Sequence, residues 1–238
     1  MDLLFDAFGW LADGANWQGS DGVPVRLFEH LWLTAVSVAI ACAAALPVGL
    51  WLGHLGRGGT LAINISNVGR AIPTLAILVL LVMGPTGLSI WSTILALVLF
   101  AVPPVLTNTY VGMREVDRDA VEAARGMGMN GIQLLRKVEV PLAIPLIMSG
   151  IRLATVQVVA TATIAALVAG PGLGRIITAG FARRDHPQMV AGAILVAVLA
   201  LVIEGLMELL QRRVDPMRAA RVPLAPRRQD RPGTLIEA

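Results

Sequence analysis

Few residues in this 238-residue chain have the type and spacing for bond-making chemistry. His30, His54 and His186 stand far apart near the ends of apolar runs, and none belongs to an H-E-x-x-H or comparable metal-binding spacing. Cys42 is the single cysteine, so no disulfide can close within the chain and no thiolate metal site can form. There is no G-x-S-x-G nucleophile turn and no G-x-x-x-x-G-K-S/T loop to cradle phosphates. Gly170, Gly172 and Gly174 form a Gly-rich run, but no strand precedes it, and it reads as a tight turn. No catalytic residue, metal ligand or bound cofactor is therefore assigned to this chain.

What remains is polar groups set inside apolar runs, and one long polar interruption. Asn64, Asn67 and Arg70 recur three apart and share a helical face. That stripe is either an interfacial helix start with Arg70 reaching the headgroups, or the wall of a pathway. Asn67, Arg70, Thr74 and Gln157 are the candidate pathway residues on polarity alone. Arg152 sits ~12 Å beyond Ile144, and Glu204 ~10 Å before Gln211, at ~1.5 Å per helical residue. The matching depths make Arg152–Glu204 a candidate intramembrane ion pair; the alternative is an arginine that only reaches the headgroups.

These groups need long apolar elements to carry them. The chain is 56% hydrophobic and 15% charged, with a mean hydropathy of +0.73, whereas soluble domains carry about 25% charged residues. A membrane-crossing helix needs ~20 mostly apolar residues. Five stretches qualify, at 28–53, 60–83, 88–110, 144–169 and 189–211. Pro47 and Gly49 should bend the first, and Pro103-Pro104 should kink the third near its end. No polar block is long enough to hide a soluble catalytic domain.

The net charge of +3 with a pI near 10 could suggest nucleic acid, but the placement of the basic residues suggests a membrane. Thirteen of the nineteen lie in 54–59, 111–143 and 212–238, and four in 1–27, 84–87 and 170–188. By the positive-inside rule the N-terminus is expected outside and the C-terminus in the cytoplasm. No nucleic-acid partner is implied; membrane lipid is. The opening MDLLFDAFGWLADGANW lacks a basic n-region and is expected to be an amphipathic helix on the outer surface rather than a cleaved signal. The tail RRVDPMRAARVPLAPRRQDRP, within 212–238, is expected to lie disordered at the cytoplasmic membrane surface.

The interruption is EAARGMGMNGIQLLRKVEVP, Glu122 to Pro141. Asp119 with Glu122, and Asn130 with Gln133, have capping-box spacing. Gly126 and Gly128 can end a first short helix, and Pro141 is expected to stop a second. The first helix should expose Val121, Ala123, Ala124, Met127 and Met129, and the second carries an apolar row at Ile132, Leu135 and Val138. Small residues and Met on such a projection suit docking against another protein.

At these residues the chain resembles a family. Glu122, Ala123, Ala124, then Gly128, then Val138, Val140 and Pro141 reproduce the spacing of the cytoplasmic EAA loop of type I ABC importer permeases, with only the last two aliphatic positions changed to Val. NTYVGMREVDRDAVEAARGMGM, IPTLAILVLL and AGPGLGRIITAGFARRD further resemble the branch that imports osmoprotectants such as glycine betaine, choline and carnitine. The resemblance covers about 28–211. It implies an all-α integral membrane fold: a five-span transmembrane domain with a cytoplasmic coupling helix, a 1–27 extracytoplasmic segment, an EAA loop at 119–141 and a 212–238 basic tail. It also implies a multi-pass protein of a bacterial cytoplasmic (inner) membrane that is itself non-catalytic.

The implied partners are a cytoplasmic ATPase subunit that binds ATP and Mg, a second permease subunit (identical or paralogous) and an extracytoplasmic substrate-binding protein. Glu122, Ala123, Ala124, Gly126, Met127, Gly128, Met129 and Pro141 would form the ATPase-docking loop, moving as a lever during alternating access. Glu122 could instead serve only as an N-terminal carboxylate. Aromatic cages usually grip quaternary amines, and this chain's 11 aromatic residues are scattered, so the tight site is expected in the binding protein. Permeases for methionine, phosphonate or sulfonate, and a secondary transporter using Glu204 and Glu208, are the competing readings.

Overall fold

The structure is a computed structural model that describes residues 2–60, 64, 69, 71–84, 86–168 and 170–215. All regular structure among these residues is helical. Helix α1 is Asp2–Ala12, α2 is Val23–Leu55, α3 is Thr74–Met83, α4 is Ile90–Arg114 and α5 is Arg118–Gly126. Then come α6 (Gly131–Leu134), a π turn (Leu135–Glu139), α7 (Val140–Ala165), α8 (Gly174–Arg183) and α9 (His186–Val214).

Four continuous helices are long and apolar enough to cross a membrane: Val23–Leu55, Ile90–Arg114, Gly131–Val168 and His186–Val214. They overlap four of the five expected spans. Of the remaining one, 60–83, only the ten-residue α3 is a described apolar helix; Asn67 and Arg70 lie outside the described residues.

Helices α2, α4 and α7 form the core, with α3 laid on α4, α9 on α7, and α1 and α8 against α9. Lipid is as apolar as leucine, so helices in it associate through close packing of small residues rather than through the hydrophobic effect. Helix α2 presents a stripe four residues apart: Ser37, Ala41, Ala45, Gly49 and Gly53, all buried. A Cβ added at Gly49 would lie 2.8 Å from Thr109 Cβ, and one at Gly53 would collide with Met113. On α7, a Cβ at Gly150 would lie 2.6 Å from Asn108 Cβ. Between these contacts Ala41, Ala45, Leu97, Ala101, Val105, Ala154, Val158 and Ala162 form one dry cluster.

Helix α4 stays continuous through Pro103 and Pro104, and the Asn108 side-chain amide donates to the Pro104 carbonyl at 2.8 Å. Pro141 does not stop a helix, contrary to expectation. Helix runs on from Gly131 to Val168 because the π turn precedes the proline. There Val140 N–H bonds the Leu135 carbonyl five residues back. Pro141 then falls in the first turn of α7, where its missing N–H and fixed φ are tolerated.

Helix α1 is amphipathic, with Ala7 fully buried and Leu3, Leu4, Phe5 and Phe8 exposed. It packs along α9, and Trp10 reaches the cluster of Val23, Leu173, Ile176 and Leu199. The Gly170–Gly174 run is a turn: Gly170 N–H bonds Ala165 O at 2.9 Å, and Gly172 takes a φ of 107°.

Candidate functional site

The candidate site is the projecting segment 117–141 and the helix ends that hold it. Helix α5 begins at Asp117, whose carboxylate accepts from Asp119 N–H at 2.9 Å. The capping box expected at Asp119 and Glu122 is therefore not formed, because an aspartate two residues earlier takes the cap and places Asp119 inside the first turn.

Val121 and Ala124 turn inward, against Met113, Val116, Leu134, Ala143 and Ile147. Ala124 is 2% exposed and Val121 9%. This corrects the expectation that both face a partner: residues three apart share one face, and that face is the one α4 and α7 cover. The outer face is Glu122, Ala123, Arg125, Gly126, Met127 and Gly128, all exposed, with Met129 half-buried.

Helix α5 ends in a Schellman motif. Met129 N–H bonds Ala124 O at 3.2 Å, and Gly128 N–H bonds Arg125 O at 2.9 Å. The corner needs a left-handed residue, and Gly128 supplies it at φ 84°. A Cβ at Gly126 or Gly128 would meet nothing within 4 Å, so both glycines border open space. The next helix starts on the expected Asn130–Gln133 capping box, with both bonds at 3.0 Å. Ile132 departs from the row expected with Leu135 and Val138. It is 69% exposed and lies beyond the corner from the 72%-exposed Met127, whereas Leu135 and Val138 pack inward.

Two residues that sequence reasoning did not bring together meet behind this face. His54 Nδ1, at the end of α2, lies 2.5 Å from Glu139 Oε2 in the π turn. Glu139 is 7% exposed. A cavity of about 80 Å³ opens beside the pair, lined by Arg114, Arg118, Glu122 and Arg125 among others. No local pattern signals this contact, since 85 residues separate its partners.

At the other end of α2, Arg26 pairs with Asp21 and Glu29. Glu29 Oε2 accepts Gly172 N–H at 2.9 Å, and fully buried His30 bonds Val159 O at 2.9 Å and Leu173 N at 3.3 Å.

Of the residues proposed for a pathway, Asn67 and Arg70 lie outside the described residues. Thr74 begins α3 and Gln157 lies mid-α7; both are half-buried, and no described hydrogen bond joins them. Asn64 lines an apolar hollow of about 430 Å³ with Gly69, Ile72, Ile77, Leu99, Val102 and Pro103. Arg152 Nε lies 3.6 Å from Glu204 Oε1, with both side chains partly exposed. Glu208 instead pairs along its own helix with Arg212.

Residues 45–216 match the protein family described as "Binding-protein-dependent transport system inner membrane component". The chain is 35% identical over 188 residues to the glycine betaine/carnitine/choline transport system permease protein OpuCB of Bacillus subtilis, covering 79% of this chain and 86% of that one. It is 37% identical over 192 residues to the carnitine transport permease protein OpuCB of Listeria monocytogenes, covering 81% and 88%. To the osmoprotectant import permease protein OsmY of Salmonella typhimurium it is 36% identical over 190 residues, covering 79% and 80%. Among solved structures, it superposes on the inward-facing MetNI methionine ABC transporter with a TM-score of 0.68 at 25% identity, covering 79% of this chain and 93% of that one.

Proposed function

The chain belongs to the family of binding-protein-dependent transport system inner membrane components, and from that premise we propose that it forms the membrane path for a quaternary-amine osmoprotectant such as glycine betaine, choline or carnitine. As in its relatives, its role is that of a non-catalytic permease subunit of an ABC importer. Transport runs inward by alternating access and is driven by a separate ATPase subunit that binds ATP and Mg. A binding protein delivers the solute from outside, and a second permease, identical or paralogous, completes the path. The N-terminus and α1 lie outside, the C-terminal tail lies in the cytoplasm, and 28–211 is the transmembrane domain.

The observation that carries the mechanism is the α5 corner. It buries Val121 and Ala124 in the permease and leaves Glu122, Ala123, Gly126, Met127 and Gly128 outward. Exposed Met127 and Ile132 flank a backbone turn with no side chain at Gly128, which is the surface a cleft on an ATPase subunit can close on. Ala124 acts from behind as packing, and Pro141 as the start of α7, so neither is a contact.

The solute class rests on the relatives, whose names give choline, carnitine and glycine betaine. A methionine-type permease is the second reading, favoured by the likeness to MetNI; identities of 34–37% to osmoprotectant permeases against 25% to MetNI favour the first. The test is purification of the tagged chain in mild detergent with mass spectrometry of what accompanies it, followed by binding of choline, glycine betaine and methionine to the co-purified binding protein. An ATPase and a choline- or betaine-binding protein are expected. A methionine-binding protein transfers the assignment to the second reading. A chain that emerges alone, with a crosslinker at Met127 capturing no ATPase, removes the importer mechanism.

A further inference from the structure

We infer that His54 and Glu139 form a positioning clasp that ties the end of α2 to the docking segment, so that displacement of the segment reaches the transmembrane core through α2 as well as through α4 and α7. This inference rests on the docking of an ATPase at α5.

The segment is joined by covalent chain to α4 on one side and α7 on the other, but α2 lies far away in sequence. The pair bridges that gap at 2.5 Å. With its proton on Nδ1, His54 donates to the carboxylate. The same ring also faces the start of α6, where a Cβ added at Gly131 would lie 3.7 Å from His54 Nε2. One imidazole therefore faces the start of α6 and bonds the π turn that follows it.

The π turn aims Glu139 at this partner. A π turn adds one residue to the helix, and π turns concentrate at functional positions. An unbroken α-helix from Gly131 would place each later residue about 100° further round, since 3.6 residues make a turn. Glu139 would then leave the α2 side. The turn also places Glu139, itself buried, on the wall of the cavity that Arg114, Arg118 and Arg125 line, and His54 is the group it bonds there.

The clasp sits at the join between packed core and exposed lever. On its core side, Gly53 lets α2 close on Met113. On its outer side lies the small cavity, with Arg114, Arg118, Glu122 and Arg125 on its walls. A tie at this point transmits motion from the lever to α2.

The test uses the complete complex, this chain with its ATPase and binding protein, in proteoliposomes with choline as probe, and reads choline moved per ATP hydrolysed. His54→Ala is expected to leave ATP hydrolysis within about twofold of wild type and to lower choline per ATP about tenfold, the range typical of residues that carry coupling. His54→Gln keeps a side-chain N–H donor and is expected to recover most of the ratio. Glu139→Ala is expected to match His54→Ala.

An unchanged ratio in assembled His54→Ala complex overturns the clasp. So does a His54→Gln complex as uncoupled as His54→Ala. If His54→Ala fails to assemble, Glu139→Ala decides: a choline-per-ATP ratio about tenfold below wild type supports the clasp, and an unchanged ratio overturns it. A wild-type complex that hydrolyses no ATP in response to the binding protein overturns the proposed function itself, a different result from a coupled wild type with indifferent variants.

Discussion

Each end of α2 is fastened by a histidine, and the two fastenings differ in kind. Near the start of the helix, His30 is fully buried, and both ring nitrogens are used, on Val159 O and Leu173 N. Glu29 beside it holds Gly172 N–H, so the whole Gly170–Gly174 turn is pinned by consecutive side chains. Near the end of the helix, His54 is partly exposed and meets one carboxylate across a π turn, next to a cavity. The first fastening joins backbone groups inside the core, and such bonds persist because breaking them strands buried polar atoms. The second joins two side chains at the edge of a projecting segment. The contrast teaches that the same residue type can fix the fold at one end of a helix and pass on a displacement at the other.

The largest effect should come from breaking the first fastening. His30→Ala leaves Val159 O and Leu173 N without their side-chain partner and opens a cavity, a loss on the order of 3–5 kcal/mol. Thermal unfolding in detergent should show a lower Tm and reduced yield, whereas His54→Ala should leave Tm within a few degrees of wild type. Equal losses at both positions would erase the distinction between the two ends.

Next in size is the corner that the second fastening supports. Gly128 sits at φ 84° with open space around it. Gly128→Ala should therefore lower stability by about 1 kcal/mol through backbone strain alone and retain part of the transport. Gly128→Asp carries no more strain than that, since aspartate tolerates the left-handed region better than alanine, and adds a charge on the docking face. It should abolish uptake of choline while membrane insertion stays intact. Uptake assays with the two variants side by side separate strain from lost docking; normal uptake by Gly128→Asp would refute the docking role.

The same contrast explains what was legible before any coordinates. The long apolar helices were, since a helix in lipid must satisfy every backbone group internally and so needs an unbroken apolar run. The Asn130–Gln133 box was, because its partners are three residues apart. The Asp119 cap was misread because Asp117 offers the same chemistry two residues earlier. The facing of Val121 and Ala124 depends on Met113 and Ala143, on other helices, and a short amphipathic pattern does not say which surface covers it. The arrest expected at Pro141 followed a local rule that the preceding π turn overrides. His54 and Glu139, like His30 and Val159, are long-range partners without any shared motif, and both fastenings stayed invisible for that reason.

The smallest expected effect belongs to a third contact, which calibrates the other two. Arg152 Nε and Glu204 Oε1 join α7 to α9 at 3.6 Å, with side chains 30% and 43% exposed. An exposed pair in water contributes about 0–1 kcal/mol. A pair that faces water or headgroups should behave likewise, and nearby Gln211 Nε2 donates to Pro145 O at 3.0 Å, so α9 does not depend on the charges alone. A double-mutant cycle of Arg152→Ala and Glu204→Gln, read by unfolding in detergent, should therefore give a coupling below about 1 kcal/mol. A coupling of several kcal/mol would mean that the pair lies in a dry environment, as a charge pair buried among helices does. It would then rank with His30 as a fastening of the fold, and the division between fixed and movable contacts would no longer follow the two ends of α2.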